Sequence, residues 1–266
     1  MSITGIITAT AVIGIIGLLI GLLLGVAAKA FAVEVDEREI LVREQLPGNN
    51  CGGCGYAGCD ALAKAIAAGE AAVNACPVGG DPVGKAIGQI MGIAADEKER
   101  EVAFVKCSGT CDKTSIKYNY YGVYDCKKLA LIPGHGEKAC SYGCMGYGSC
   151  VRACPFDAIH IVNGVARVDK EKCKACGKCI AECPNHLIEL VPYSAKHVVK
   201  CSSKDKGKAV KDACSTGCIG CGLCVRQCEF DAITVENNIA HIDQSKCTGC
   251  GACKEKCPKK AIIDFS

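Results

Sequence analysis

The chain has 266 residues, a formal net charge of +3, only 5% aromatic residues and no tryptophan. A balance so near neutral leaves no basic footprint for nucleic acid, and so few aromatics supply little for one large hydrophobic core. Twenty-five residues are cysteine, a density otherwise met in short, disulfide-stapled secreted chains. This chain is not short, and its cysteines are bunched in C-x2-C-x2-C runs. Such runs suit thiolates converging on one inorganic core better than pairwise disulfides. Zinc is the other reading of CxxC pairs, but zinc sites do not usually show three such cysteines followed by C-x3-C-P.

Residues 3–28 carry no charge and exceed the roughly 20 apolar residues a helix needs to cross a bilayer. The spacing Gly17-x3-Gly21-x3-Gly25 gives a small-residue face suited to packing on another membrane helix, although glycine is common in membrane helices anyway. Ala28-Lys29-Ala30 resembles a signal-peptide cleavage site. Against cleavage, Met1 to Thr4 have no positive charge and the apolar run is longer than a signal core. The expectation is a retained anchor over residues 1–30. The flanking charges Lys29, Glu34, Asp36, Glu37 and Arg38 give little positive-inside bias. Cluster chemistry needs a reducing compartment for assembly, so the part beyond the helix is expected to face the cytoplasm.

Residues 31–100 are expected to form a small helical domain around Cys51-x2-Cys54-x4-Cys59-x16-Cys76. Four thiolates on a glycine-rich loop suit one cluster. Asp60 to Ala68 reads as an alanine-rich helix that returns the chain to Cys76-Pro77. A second helix is expected from Asp81-Pro82 to about Ile93, with proline at the first helical position. The charged run at 96–101 reads as a solvated linker.

Two later segments superimpose without gaps at an offset of 74 residues. Cys150-VRA-Cys154 aligns with Cys224-VRQ-Cys228, and Cys173, Cys176, Cys179 and Cys183 align with Cys247, Cys250, Cys253 and Cys257. This is the bacterial ferredoxin run, in which three cysteines hold one [4Fe–4S] cluster and the fourth holds its neighbour. Short strands at Ala158–Val162 and Val165–Val168 are expected to pair. The second module, 196–266, assigns Cys218, Cys221, Cys224 and Cys257 to one cluster and Cys228, Cys247, Cys250 and Cys253 to the other. Glu229 replaces the usual proline after Cys228. The first module, 140–195, assigns Cys154, Cys173, Cys176 and Cys179 to one cluster. Its other cluster is irregular, because Tyr147 stands where the repeat puts Cys221. Cys144, Cys150 and Cys183 then need a fourth ligand, expected to be Cys140; a [3Fe–4S] centre is the alternative.

Five cysteines remain. Cys107, Cys111 and Cys126, in an insert over 101–139, are expected to build a sixth cluster with Cys201 or Cys214; buried free thiols are the other reading. The fold class is α+β: a transmembrane helix, a small helical [4Fe–4S] domain and two tandem ferredoxin-like 2[4Fe–4S] modules. The lysines between Lys196 and Lys211, with Lys127 and Lys128, read either as solvated loop or as a docking patch for an acidic partner.

One apolar helix, a C-x2-C-x4-C-x16-C domain opening Leu46-Pro47-Gly48, and ferredoxin modules together resemble RnfB, the electron-entry component of the Rnf complex, called RsxB in enterobacteria. The resemblance covers essentially the whole chain. The insert from about Lys106 to Ala139 and the doubled modules resemble the clostridial-type version. The resemblance implies a membrane complex that oxidises reduced ferredoxin and reduces NAD+, coupled to Na+ or H+ transport. Its implied partners are soluble ferredoxin, the other membrane and NADH-binding subunits and the lipid bilayer. This chain would relay electrons and hold no complete active site. It has no G-x-G-x-x-G fingerprint for a dinucleotide and no charge inside its membrane helix, so NAD+ reduction and ion transport are expected on partners. A polyferredoxin component of another redox complex, and a reducer of a redox-sensing transcription factor, are the competing readings.

Overall fold

The computed structural model describes residues 3–31 and 36–265; Glu34 lies outside them. Helix α1 (Ile3–Ala30) is long and apolar enough to cross a membrane. At 1.5 Å per residue its 28 residues extend about 42 Å, beyond the hydrocarbon thickness of a bilayer. Large apolar side chains along it, such as Ile13, Leu18 and Leu23, are exposed, and a Cβ built on Gly17, Gly21 or Gly25 meets nothing within 4 Å.

The next unit is helical. Helix α2 (Glu37–Gln45) is capped by Asp36, whose carboxylate accepts from the Arg38 N–H. It packs on α3 (Cys59–Ala67) and α4 (Gly80–Met91). Val42, Leu62, Ile66 and Ile87 fill the small core between them. Both expected helices form, with α4 stopping at Gly92, which takes the left-handed conformation (φ 69°) that closes a helix cheaply only for glycine.

The rest of the chain is one motif used twice. In the first unit, β1 (Glu101–Val105) precedes α5 (Cys126–Ala130) and α6 (Ser149–Ala153), then the hairpin of β2 (Ile159–Val162) and β3 (Val165–Val168), then α7 (Lys178–Glu182) and β4 (Ile188–Pro192). β1 pairs antiparallel with β4, and β2 with β3. In the second unit, β5 (His197–Val199), α8 (Gly207–Ala213), α9 (Leu223–Arg226), the hairpin of β6 (Ile233–Glu236) and β7 (Ile239–Ile242), α10 (Ala252–Glu255) and β8 (Ile262–Asp264) follow in the same order. Here β5 pairs with β8 and β6 with β7. Each unit thus closes its first strand on its last, which brings residues as far apart as Glu101 and Pro192, or His197 and Asp264, into one small sheet. The expected boundary at residue 140 cuts the first of these sheets: β1 lies in the segment read as an insert, yet it pairs with β4 through all five of its residues. Each core contains cysteines beside the aliphatics, such as Cys150, Cys173 and Cys179 against Val102, Ile159 and Val165.

Candidate iron–sulfur sites

The cysteine thiols gather four at a time. Site I is Cys51, Cys54, Cys59 and Cys76, held between the loop at 51–58, α3 and the turn before α4. Cys51 and Cys54 lie close enough to act electrostatically on Cys76. The Asn50 side chain anchors the loop by accepting from the Cys59 N–H at 2.8 Å. Site II is Cys154, Cys173, Cys176 and Cys179, the last beside the other three. Site III is a cavity lined by Cys126, Cys144, Cys150 and Cys183. Site IV is a cavity lined by Cys107, Cys140, Cys201 and Cys214. Site V gathers Cys218, Cys221, Cys224 and Cys257, and site VI gathers Cys228, Cys247, Cys250 and Cys253.

Sites I, II, V and VI group the cysteines as the spacing implies. Sites III and IV do not. Cys140 lies away from Cys144, Cys150 and Cys183, in site IV; Cys126 takes the fourth place in site III. Cys107, Cys111 and Cys126 are not brought together. Cys111 is exposed and lines none of these cavities. Both candidates for the last ligand of the extra site, Cys201 and Cys214, line site IV together.

The physical reason lies in Tyr147. It stands at the sequence position that Cys221 has in the repeat, and its ring packs on Tyr124 and Tyr120 from the insert, with centroids 5.2 and 6.1 Å away. That contact draws the insert over the module and delivers Cys126 from outside. A capping network fixes Cys126. The Asp125 carboxylate accepts from the Lys127 and Lys128 N–H groups at 3.0 and 3.1 Å, from Ser149 Oγ at 3.1 Å and from Arg152 at 2.5 Å. Ser149 Oγ in turn accepts from the Cys126 N–H at 2.9 Å. These donors, the Lys128 N–H first, hold the Asp125 carboxyl below the usual carboxylate range.

Site IV has internal pseudo-symmetry. Cys140 and Cys214 are equivalents at the offset of 74, and Cys107 and Cys201 each stand third in a Val-Lys-Cys-Ser run that begins on the last residue of β1 or β5. The second equivalence hides at an offset of 94 because the insert lengthens the first loop by 20 residues (107 to 140 is 33, 201 to 214 is 13). The repeated Val-Lys-Cys-Ser at 105–108 and 199–202 is the signal that finds it. The two units meet here: the Ser115 N–H donates to Ala213 O, the Ser215 N–H to Lys113 O, and Ser202 Oγ to Lys106 O.

The donor set fits iron–sulfur clusters. Burial pushes the thiols of Cys150 and Cys179 up to about 12, and those of Cys144, Cys201 and Cys224 to about 11; neighbouring thiols add to the effect. Four crowded, desolvated thiols ionise only against a cationic core, so loading such a site releases protons. Backbone N–H groups already point at sulfur, as electron-rich thiolates require: Ala103 to Cys173 and Ala261 to Cys257 at 3.3 Å, Leu187 to Cys183 at 3.4 Å and Ala166 to Cys144 at 3.5 Å. All 25 cysteines are free. Among the described residues no three His, Cys, Asp or Glu side chains are placed to hold a single metal ion; the thiols ring wider spaces.

Family comparisons agree with the pattern. Residues 46–78 match an Fe-S cluster family, and residues 133–189 and 217–261 each match a 4Fe-4S dicluster domain. The B subunit of the Na+-translocating ferredoxin:NAD+ oxidoreductase complex of Acetobacterium woodii is 49% identical, over 88% of this chain and 71% of its own length. The B subunit of the ion-translocating oxidoreductase complex of Methanosarcina acetivorans is 45% identical, over 96% of this chain and 97% of its own. Its counterpart in Clostridium ljungdahlii, named for proton translocation, is 44% identical, over 88% and 83%. The chain belongs to the RnfB family of ion-translocating oxidoreductase complexes. As a member it is an electron-transfer subunit. The two ions named among these relatives leave Na+ and H+ both represented in the family.

In this RnfB-family chain the six sites succeed one another in space. Gly53 of site I sits so close to site II that a Cβ built on it would lie 2.7 Å from Cys176 O and 2.9 Å from Cys176 Cα. Sites II and III share the core of the first unit, with Cys179 among the thiols acting on Cys150. The Cys144 N–H of site III donates to Cys107 Sγ of site IV at 3.3 Å. Cys201 of site IV and Cys218 of site V interact directly, and sites V and VI share the core of the second unit. Of the basic run, Lys196, Lys204, Lys206, Lys208 and Lys211 are exposed, but Lys200 is buried beside site IV and is no part of a docking surface. Lys127 pairs with Glu182 at 2.9 Å.

Proposed function

We propose that this chain is the relay by which a ferredoxin:NAD+ oxidoreductase complex carries electrons from soluble ferredoxin to its membrane and NADH-binding subunits, with six [4Fe–4S] clusters at sites I–VI. The observation that carries this reading is the unbroken spatial succession of six four-thiol sites. When bound, each cluster supplies a one-electron redox centre. The residues of the chain hold the clusters, exclude water from them and set the order of neighbours. Site I belongs to the unit that directly follows α1, so the anchor keeps that end at the membrane. Cys221 and Cys250, at the other end, are exposed, which suits exchange with a soluble partner. On this reading residues 101–192 and 197–264 are tandem ferredoxin-like two-cluster modules, α1 is a single membrane span, and the cluster domains face the cytoplasm.

The exposed lysines 204, 206, 208 and 211 are the docking surface this reading assigns to an acidic ferredoxin. Reversing them to glutamate is expected to slow reduction of the purified chain by reduced ferredoxin about 10-fold at low salt and to flatten the salt dependence, as for other steered encounters. An unchanged rate with an unchanged salt slope would place docking elsewhere.

A further inference from the structure

Among the described residues, only two ammonium groups are buried, Lys138 and Lys200, 5% and 6% exposed. Both line site IV. Lys138 Nζ donates to three carbonyls, Gly109 and Cys144 at 3.0 Å and Gly164 at 2.5 Å. Three carbonyls match the three N–H groups of an ammonium, so its charge is held at full hydrogen-bonding capacity without a counter-ion. Neither lysine forms an ion pair, although twelve ion pairs occur elsewhere among the described residues. A third lysine, Lys106, also lines the cavity, with its ammonium engaged by Glu189. No carboxylate lines the cavity; Asp205 is the acid that acts on it, through Cys140. The other cavities differ: site III is lined by Glu182 and no lysine, although Lys138 also acts on its Cys144 from the site IV side, whereas Lys200 acts on Cys107 of site IV; site V is lined by Lys259 alone, and site VI by no lysine or acid.

Burying an unpaired cation costs several kilocalories per mole by desolvation, so a fold keeps one only where a negative group comes to meet it. Four thiolates around an iron–sulfur core provide that group, and it gains one further negative charge on reduction. A fixed positive charge beside it favours the reduced form. We propose that Lys138 and Lys200 raise the reduction potential at site IV, so that the cluster bound by Cys107, Cys140, Cys201 and Cys214 is the first of the six to be reduced. The lysines are positioning charges and touch no substrate. The inference rests on the six-site reading above and deepens it, by placing an electron store at the junction of the two modules.

The test uses the full-length chain, purified anaerobically in detergent, with iron content and an EPR-monitored redox titration. The wild type is expected to hold about 24 iron, by four per cluster, and the Cys107→Ser/Cys201→Ser variant about 20, with the highest-potential component gone. Lys200→Met is expected to keep about 24 iron while that same component falls so that its reduced-to-oxidised ratio at fixed potential drops at least tenfold, about 59 mV for one electron. If Lys200→Met loses iron, Lys138→Met is read by the same criterion on the component that the double cysteine variant removes. Should the double cysteine variant keep the wild-type iron, site IV is no cluster site and the six-site reading itself fails. Should it lose four iron together with a component other than the highest, or should the lysine variants leave every midpoint in place, the charge-tuning inference is overturned while the six-site reading stands.

Discussion

A Cys126→Ser variant will lose the cluster of site III, falling from about 24 to about 20 iron per chain, whereas Cys111→Ser will keep the wild-type content. The two cysteines lie 15 positions apart in one insert, and spacing alone treats them alike. The structure does not. Cys126 lines a cavity with Cys144, Cys150 and Cys183 and is fixed by the Ser149 and Asp125 network. Cys111 is exposed. Serine removes the soft thiolate while keeping the size of the side chain, so the loss reports ligation rather than packing. Anaerobic purification followed by iron analysis decides the matter. Equal iron in both variants would undo the grouping at site III.

The second large effect is expected at Gly53. A built Cβ there lies 2.7–2.9 Å from the backbone of Cys176, and backbone cannot step aside as a flexible side chain can. Gly53→Leu must therefore push the helical unit away from the first module, as overpacking does at other tight contacts. Both sites keep all their ligands, so iron should stay at about 24 per chain. Electron flow from ferredoxin through the assembled complex should fall on the order of 100-fold, the scale seen when reacting groups are displaced by about 1 Å. Wild-type flux in this variant would show that electrons do not pass between sites I and II.

The contrast between the regular and irregular sites explains what the sequence can disclose. Sites I, II, V and VI draw on local runs such as Cys173-x2-Cys176-x2-Cys179, where chain geometry alone brings three thiols together. Their grouping is readable from spacing, as are the helices at 59–67 and 80–91 and the hairpins at 159–168 and 233–242. Site III defeats spacing because its fourth thiol arrives from a loop. The clue is the substitution at Tyr147, but the aromatic packing of Tyr120 and Tyr124 that follows from it is tertiary. Site IV joins two modules through paired equivalents, and the unequal loops put one pair at an offset of 74 and the other at 94. The closure of β1 on β4 escapes the sequence for a similar reason: five residues of strand carry little local signal when their partner lies nearly ninety positions on. Lys200 reads as one more surface lysine, because burial of a charge depends on what the fold places around it.

The number of clusters decides whether the relay is continuous. Iron and acid-labile sulfide of the anaerobically purified full-length chain should both come to about 24 per chain, six clusters of four each. A value of about 20 or below, reproducible under full reconstitution with iron and sulfide, would mean that the six sites are not all cluster sites and that the succession is broken.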